Sequence, residues 1–287
     1  MQRMESRSIW LFLGLFVLLS AVFYAVPLAT GKIMSGNRLY LTGLMWSPGL
    51  AAILTCWLRG IPMDFLGWRW GEWCWQWRSY LLPFGYALVA YAIVWTTGLG
   101  VFGNPEFIDK LPETLGWSTG SATGNAIVFL LLTGTVGMVQ SLSRALGEEI
   151  GWRGFLAPAL TGRMGYTKAS LVVGLIWGAW HIPGLVFADY NGGTPPWFAI
   201  SCFMTMVVAS SFMMTWFRLR SGSLWTAAVM HASHNLFIQA FFTPMTGASG
   251  EITPYAIDEF GFVLPLVMMA LAFWFWLRRD EAVRAAA

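Results

Sequence analysis

Leu171-Val172-Val173-Gly174-Leu175-Ile176-Trp177-Gly178-Ala179-Trp180-His181-Ile182-Pro183-Gly184-Leu185-Val186-Phe187 is the stretch on which the reading of this chain turns. It contains no Asp, Glu, Lys or Arg, and the apolar run around it extends over about 169–189. A helix rises 1.5 Å per residue, so roughly 20 such residues match a hydrocarbon layer ~30 Å thick. The single ionisable group, His181, lies too far inside the run to reach water by snorkelling. Pro183 removes a backbone donor close by and predicts a kink near the histidine. The stretch reads as a transmembrane helix holding an imidazole in its interior.

The rest of the chain repeats the pattern. Of its 287 residues, 57% are hydrophobic and 11% charged, with a mean hydropathy of +0.60. A soluble domain usually carries about twice that charged fraction. Apolar runs fall at about 9–29, 39–58, 79–99, 125–147, 169–189, 197–217, 223–243 and 260–277. They predict an all-α, polytopic transmembrane bundle of about eight spans. The first run is too long for a signal peptide, and no clean small-residue cleavage site follows it. With no soluble segment and no internal repeat, residues 1–287 read as a single integral membrane domain.

Charge then orients the bundle. With the N-terminus inside and the sides alternating, the cytoplasmic segments hold Arg3, Arg7, Arg59, Arg69, Arg78, Arg144, Arg153, Arg163, Lys168, Arg218, Arg220, Arg278, Arg279 and Arg284. Only Lys32, Arg38 and Lys110 fall outside, and the outer loops are acidic through Glu106, Asp109, Glu113, Asp189, Glu251, Asp258 and Glu259. The positive-inside rule therefore expects both termini in the cytoplasm, in a plasma membrane of bacterial type. A net charge of +3 is too small to point to nucleic acid, which leaves the lipid bilayer as the evident partner. The cluster Trp68, Trp70, Trp73, Trp75 and Trp77 reads as an interfacial aromatic belt, and Cys56, Cys74 and Cys202 as small apolar fillers with no metal or redox spacing.

An ionisable group inside a bilayer costs about 2.5–3.5 kcal/mol on insertion scales, so each one calls for a reason. The chain has three histidines, His181, His231 and His234, all within predicted spans. Glu148 and Glu149 sit at the expected cytoplasmic end of the fourth span. Glu149 and Arg153, four apart, can pair along one helical face, while Glu148 is rotated about 100° away and free to face a cavity. In His231-Ala232-Ser233-His234-Asn235, His231 and Asn235 share a face and could together grip an oxygen acquiring negative charge. The same residues could equally be a charged helix end and interhelical polar glue. Counted by helical rise, Glu148 comes out near the surface and His181 ~17–20 Å deep. A single site then needs a tilted or later-starting fourth helix, or the kink at Pro183, and a water-filled cavity opening to the cytoplasm.

Taken together, Glu148-Glu149-x-x-x-Arg153, then Trp177-x-x-x-His181, then His231-x-x-x-Asn235, each on its own span, resemble the CAAX protease and bacteriocin-processing (CPBP, or Abi) family of intramembrane peptidases. The resemblance covers about 125–243. It implies a peptide or membrane-anchored protein as substrate, a water activated by Glu148 and His181, and an oxyanion site from His231 and Asn235. Glu149 and Arg153 would support these from behind, and no role is carried onto His234. It leaves both glutamate-dependent and metal-dependent hydrolysis open. If a divalent metal such as Zn takes part, Glu148, His181 and His231 are its expected ligands. The competing readings are a non-catalytic membrane immunity or scaffold protein, and a proton-coupled transporter. The transporter is disfavoured because the polar residues crowd into the fourth to seventh spans with no counterpart in the first three.

Overall fold

The computed structural model describes residues 4–32 and 38–286, so Arg3 and the side chain of Arg38 lie outside the described residues. Helices occupy all eight predicted runs. In chain order they are α1 (Ser6–Thr30), α2 (Arg38–Arg59), α3 (Trp73–Thr96), α4 (Pro105–Leu115), α5 (Ala122–Leu132), α6 (Met138–Glu149), α7 (Ala157–Phe187), α8 (Pro196–Ser221) and α9 (Leu224–Asn235). The short turns α10 (Thr243–Met245) and α11 (Thr253–Ala256) then lead to α12 (Val263–Leu277) and α13 (Arg279–Ala286). Among the described residues, five helical segments are long and apolar enough to cross a membrane: Ser6–Thr30, Leu39–Arg59, Trp73–Thr96, Ala122–Phe187 and Pro196–Ser221. The only sheet among them is a two-residue antiparallel pairing of β1 (Val101–Phe102) with β2 (Thr246–Gly247). The protein is a helical membrane bundle.

The fourth span departs from expectation. α5, α6 and the first part of α7 run on through two π-helical turns, Thr133–Gly137 and Ile150–Leu156, and change direction only at Gly165. That glycine has φ 77° and ψ 168°, outside the helical range and in a region that suits a residue without Cβ. Glu148 and Glu149 therefore lie inside a continuous helix and not at its cytoplasmic end. The apolar run stops at 147 because the helix turns polar and glycine-rich there, which is a change of surroundings and not of backbone. This removes the mismatch in depth between Glu148 and His181.

Arg153, expected in a cytoplasmic segment, is wholly buried inside the bundle, and Arg144 is half-buried and lines the cavity. Arg163 Nη1 donates to Met4 O at 2.6 Å, Arg59 pairs with Glu5 at 2.6 Å, and Arg218 Nη2 donates to Phe65 O at 3.2 Å. Trp216 Nε1 donates to Arg278 O, and Trp276 Nε1 to Thr167 Oγ1. These contacts gather the beginning and end of the described chain and the α8–α9 turn at one end of the bundle. In the tryptophan cluster Trp73 and Trp77 are exposed, as a belt requires, whereas Trp75 is sandwiched by Arg78 and Arg220. Cys74 is exposed and is not a core filler.

Packing around the fourth span is close because side chains are missing where backbones meet. A Cβ on Gly147 would stand 2.9 Å from Met45 O, and one on Gly151 would stand 2.5 Å from Pro48 Cβ. Gly49 opposes them, its own missing Cβ 2.5 Å from Gly147 O. Gly147-x-x-x-Gly151 thus lets α2 touch the motif helix backbone to backbone, as small residues do in membrane helix pairs. On another side, the rings of Phe12 and Phe16 from α1 meet Trp152, which in turn meets Trp180 of α7. Water and lipid are excluded from the back of Glu148 and Glu149 by these contacts.

Candidate active site

Each motif residue is placed by a local reason. Glu148 and Glu149 close α6 just before the π-helical turn Ile150–Leu156, and His231 and Asn235 close α9 just before another, Leu236–Phe242. π-turns widen a helix and are frequent at functional sites. α9 starts at Ser223, whose Oγ accepts from Trp225 N at 3.2 Å, after a left-handed turn at Gly222. Leu224 N donates to Gly67 O at 2.8 Å, which fixes where α9 enters the bundle.

The Glu149 carboxylate is wholly buried. Arg153 Nη1 donates to both of its oxygens, at 2.9 and 3.1 Å, and His231 Nδ1 lies 2.9 Å from Oε1. A carboxylate can only accept, so His231 carries its proton on Nδ1 and leaves Nε2 for the cavity. The Arg153 guanidinium also covers the Trp177 ring at 4.4 Å. That same indole donates Nε1–H to Glu148 Oε2 at 2.8 Å. One turn further on, His181 Nδ1 donates to Trp177 O at 3.0 Å, so its Nε2 is the free nitrogen. Trp177, anticipated only as an aromatic before the histidine, links both acids and His181 in one network.

Glu148, His181, His231 and Asn235 all line one cavity of about 570 Å³, with Glu149 and Arg153 behind it. Gln140 and Gln239 are its exposed lining, while Phe203, Met206, Val207 and Met214 of α8 give it an apolar wall. The expected ligand set for zinc does not assemble. Among the described residues no three His, Cys, Asp or Glu side chains converge closely enough to hold a metal ion.

Residues beyond the motifs also reach the cavity. Tyr24 of α1 lines it and donates to Trp180 O at 2.7 Å. His234, assigned no role from sequence, is buried with Nδ1 2.6 Å from Tyr86 Oη and Nε2 2.9 Å from Glu259 Oε1. Glu259 was expected in a solvated outer loop, yet it is buried and lines the cavity, where it also accepts from Tyr190 Oη at 3.2 Å. A carboxylate next to an apolar run carries no sequence signal that separates a helix cap from a group folded inward.

The protein is thus a multi-span helical bundle enclosing a cavity lined by glutamate, histidine and asparagine. Residues 126–237 match the family model for type II CAAX prenyl endopeptidases, Rce1-like. Over 103 residues the chain is 30% identical to CAAX prenyl protease 2 of Methanococcus maripaludis, which is 33% of this chain and 36% of that protein. The chain thus spans about a third of the length of the curated relative it matches. The resemblance to the CAAX protease and bacteriocin-processing family read from the motifs is borne out over the motif-bearing segment. Glu148, Glu149, Arg153, His181, His231 and Asn235 all fall within it, and Glu259 falls beyond it.

Proposed function

We propose that the protein is an intramembrane endopeptidase that hydrolyses a peptide bond of a membrane-anchored peptide or protein. The observation that carries this reading is the convergence of Glu148, His181, His231 and Asn235 on one cavity inside the bundle. Glu148 Oε1 and His181 Nε2 are the acceptors left to hold a water there. In the reaction Glu148 takes a proton as the water oxygen attacks the carbonyl carbon. His231, as an imidazolium with Glu149 for counter-ion, and the Asn235 amide donate to the resulting oxyanion. Collapse of the tetrahedral intermediate breaks the C–N bond, and Glu148 returns the proton to the leaving amine. No step is routed through a metal, because the donor set does not fit one.

His231 lies two helical turns, ~10 Å, from the α8–α9 turn. With the termini cytoplasmic, as the arginines favour, cleavage takes place toward the cytoplasmic side. The test is a peptidase assay of purified protein on a panel of membrane-anchored peptides, with Glu148→Ala, His231→Ala and a chelator alongside. Both substitutions abolish cleavage while the protein still expresses and folds, and chelation leaves the rate unchanged. If the parent cleaves nothing and the two variants unfold, the residues are structural and the chain is a binding scaffold.

A further inference from the structure

The buried group that this mechanism leaves unused is Glu259, in the loop between α11 and α12. Its two oxygens hold two different walls of the cavity: Oε1 takes His234 Nε2 of α9 at 2.9 Å, and Oε2 takes Tyr190 Oη of the α7–α8 loop at 3.2 Å. His234 is in turn tied to Tyr86 of α3. The neighbouring residue, Phe260, packs edge-on against Tyr190 at 5.0 Å and stacks on Phe203 at 5.9 Å. Those two rings flank His181 from outside its own helix, Phe203 at 4.8 Å and Tyr190 stacked at 6.3 Å with 26° between planes, while Trp180 meets it edge-on at 4.8 Å from within α7. Asp258 secures the loop from behind, its N–H donating to Tyr91 Oη and its Oδ1 accepting from Glu259 N at 2.7 Å.

His181 itself has one hydrogen bond to orient it, from Nδ1 to Trp177 O. A single bond along the ring axis leaves the imidazole free to tilt, so the aromatic walls decide where Nε2 points. We infer that Glu259 is a positioning residue for the reaction proposed above: by clamping Tyr190 to His234 it holds the aromatic slot that aims His181 at the water beside Glu148. Its two oxygens are taken up by His234 and Tyr190, so it acts through the slot and not on the reacting atoms. It lies outside the segment matched by the family model, so the inference concerns this chain's own way of closing the site.

The experiment uses the whole protein in micelles, labelled with ring-¹⁵N histidine. Because the chain has three histidines, three sets of ring signals result. Glu259→Ala shifts or splits the His181 set as the ring takes up more than one orientation, although residue 259 makes no contact with it. In the cleavage assay the same variant lowers kcat by up to about a hundredfold while KM is unchanged, the signature of a misaimed reacting group. Glu259→Gln, which keeps an accepting oxygen and a polar partner for Tyr190 but not the charge, restores both readouts, so the effect belongs to positioning and not to the field of the carboxylate at His181. Tyr190→Phe keeps the ring and deletes the clamp, and it reproduces the loss should Glu259→Ala fail to fold. His181 signals and kcat unmoved in a folded Glu259→Ala or Tyr190→Phe protein overturn the inference. A parent protein that cleaves nothing defeats the endopeptidase reading alone, since the spectrum still reports whether Glu259 orients His181.

Discussion

Replacing Arg153 by methionine isolates what holds the motif helix together. In the parent, Nη1 gives both of its hydrogen bonds to Glu149, at 2.9 and 3.1 Å, and neither side chain has any exposed surface. Methionine keeps the apolar stem and leaves the Glu149 carboxylate with His231 Nδ1 as its remaining partner, in a place water does not reach. Breaking a buried ion pair from one side costs about 3–5 kcal/mol. The lower end applies here, because Arg153 Nε and Nη2 are buried without partners and methionine removes that cost. A loss of about 3 kcal/mol lowers the ratio of folded to unfolded protein roughly a hundredfold. Reversible denaturant titration in mixed micelles measures it. The companion Glu149→Gln/Arg153→Met regains more than half of the loss, since no buried carboxylate is left underpaired and the glutamine oxygen still accepts from the Nδ1–H of a neutral His231. A single variant within about 1 kcal/mol of the parent, the worth of an exposed pair, refutes the reasoning. So does a double variant weaker than the single.

Other sites give sharper functional contrasts. Trp177→Phe deletes the donor to Glu148 Oε2 and weakens the stack under Arg153; a hydrogen bond to a charged group is worth about 1.5–3 kcal/mol, and the loss is read in kcat on a cleavable peptide. Asn235→Ala removes one oxyanion donor and lowers kcat by about 10²–10³ with KM little changed, measured on the same substrate. Gly151→Ala places a methyl 2.5 Å from Pro48 Cβ and forces α2 away from the motif helix. That overpacking costs about 1–3 kcal/mol in the denaturant titration.

The helices were legible because a membrane crossing leaves an uncharged run of fixed length, and each of the eight runs contains helix. Where a helix continues past its apolar stretch, the same signal fails. The segment after 147 is glycine-rich and charged, so Glu148 and Glu149 read as a helix end when they stand inside one. Arg153 was expected in a cytoplasmic segment for a related reason, since charge buried against Glu149 looks in sequence like charge in a loop. The six motif residues stood out because their spacings place them on shared faces of separate spans, and the structure brings four of them to one cavity with Glu149 and Arg153 behind. Glu259 and Tyr190 lie in connections without periodicity, and only the folded loop brings them to the cavity. Gly147-x-x-x-Gly151 was readable and went unread behind the more conspicuous acids it flanks.

The π-helical turns behind Glu149 and Asn235 also govern how this scaffold can be re-engineered. Each stores a surplus residue, so the helix beyond it is rotated relative to a regular continuation by about 100° per residue. A chimera that splices a regular α-helix across Ile150–Leu156 would keep Glu149 and Arg153 four apart on one face but turn the helix beyond Leu156, and the start of α7 with it, relative to the motif acids. Grafted segments must therefore keep their insertions as well as their motifs.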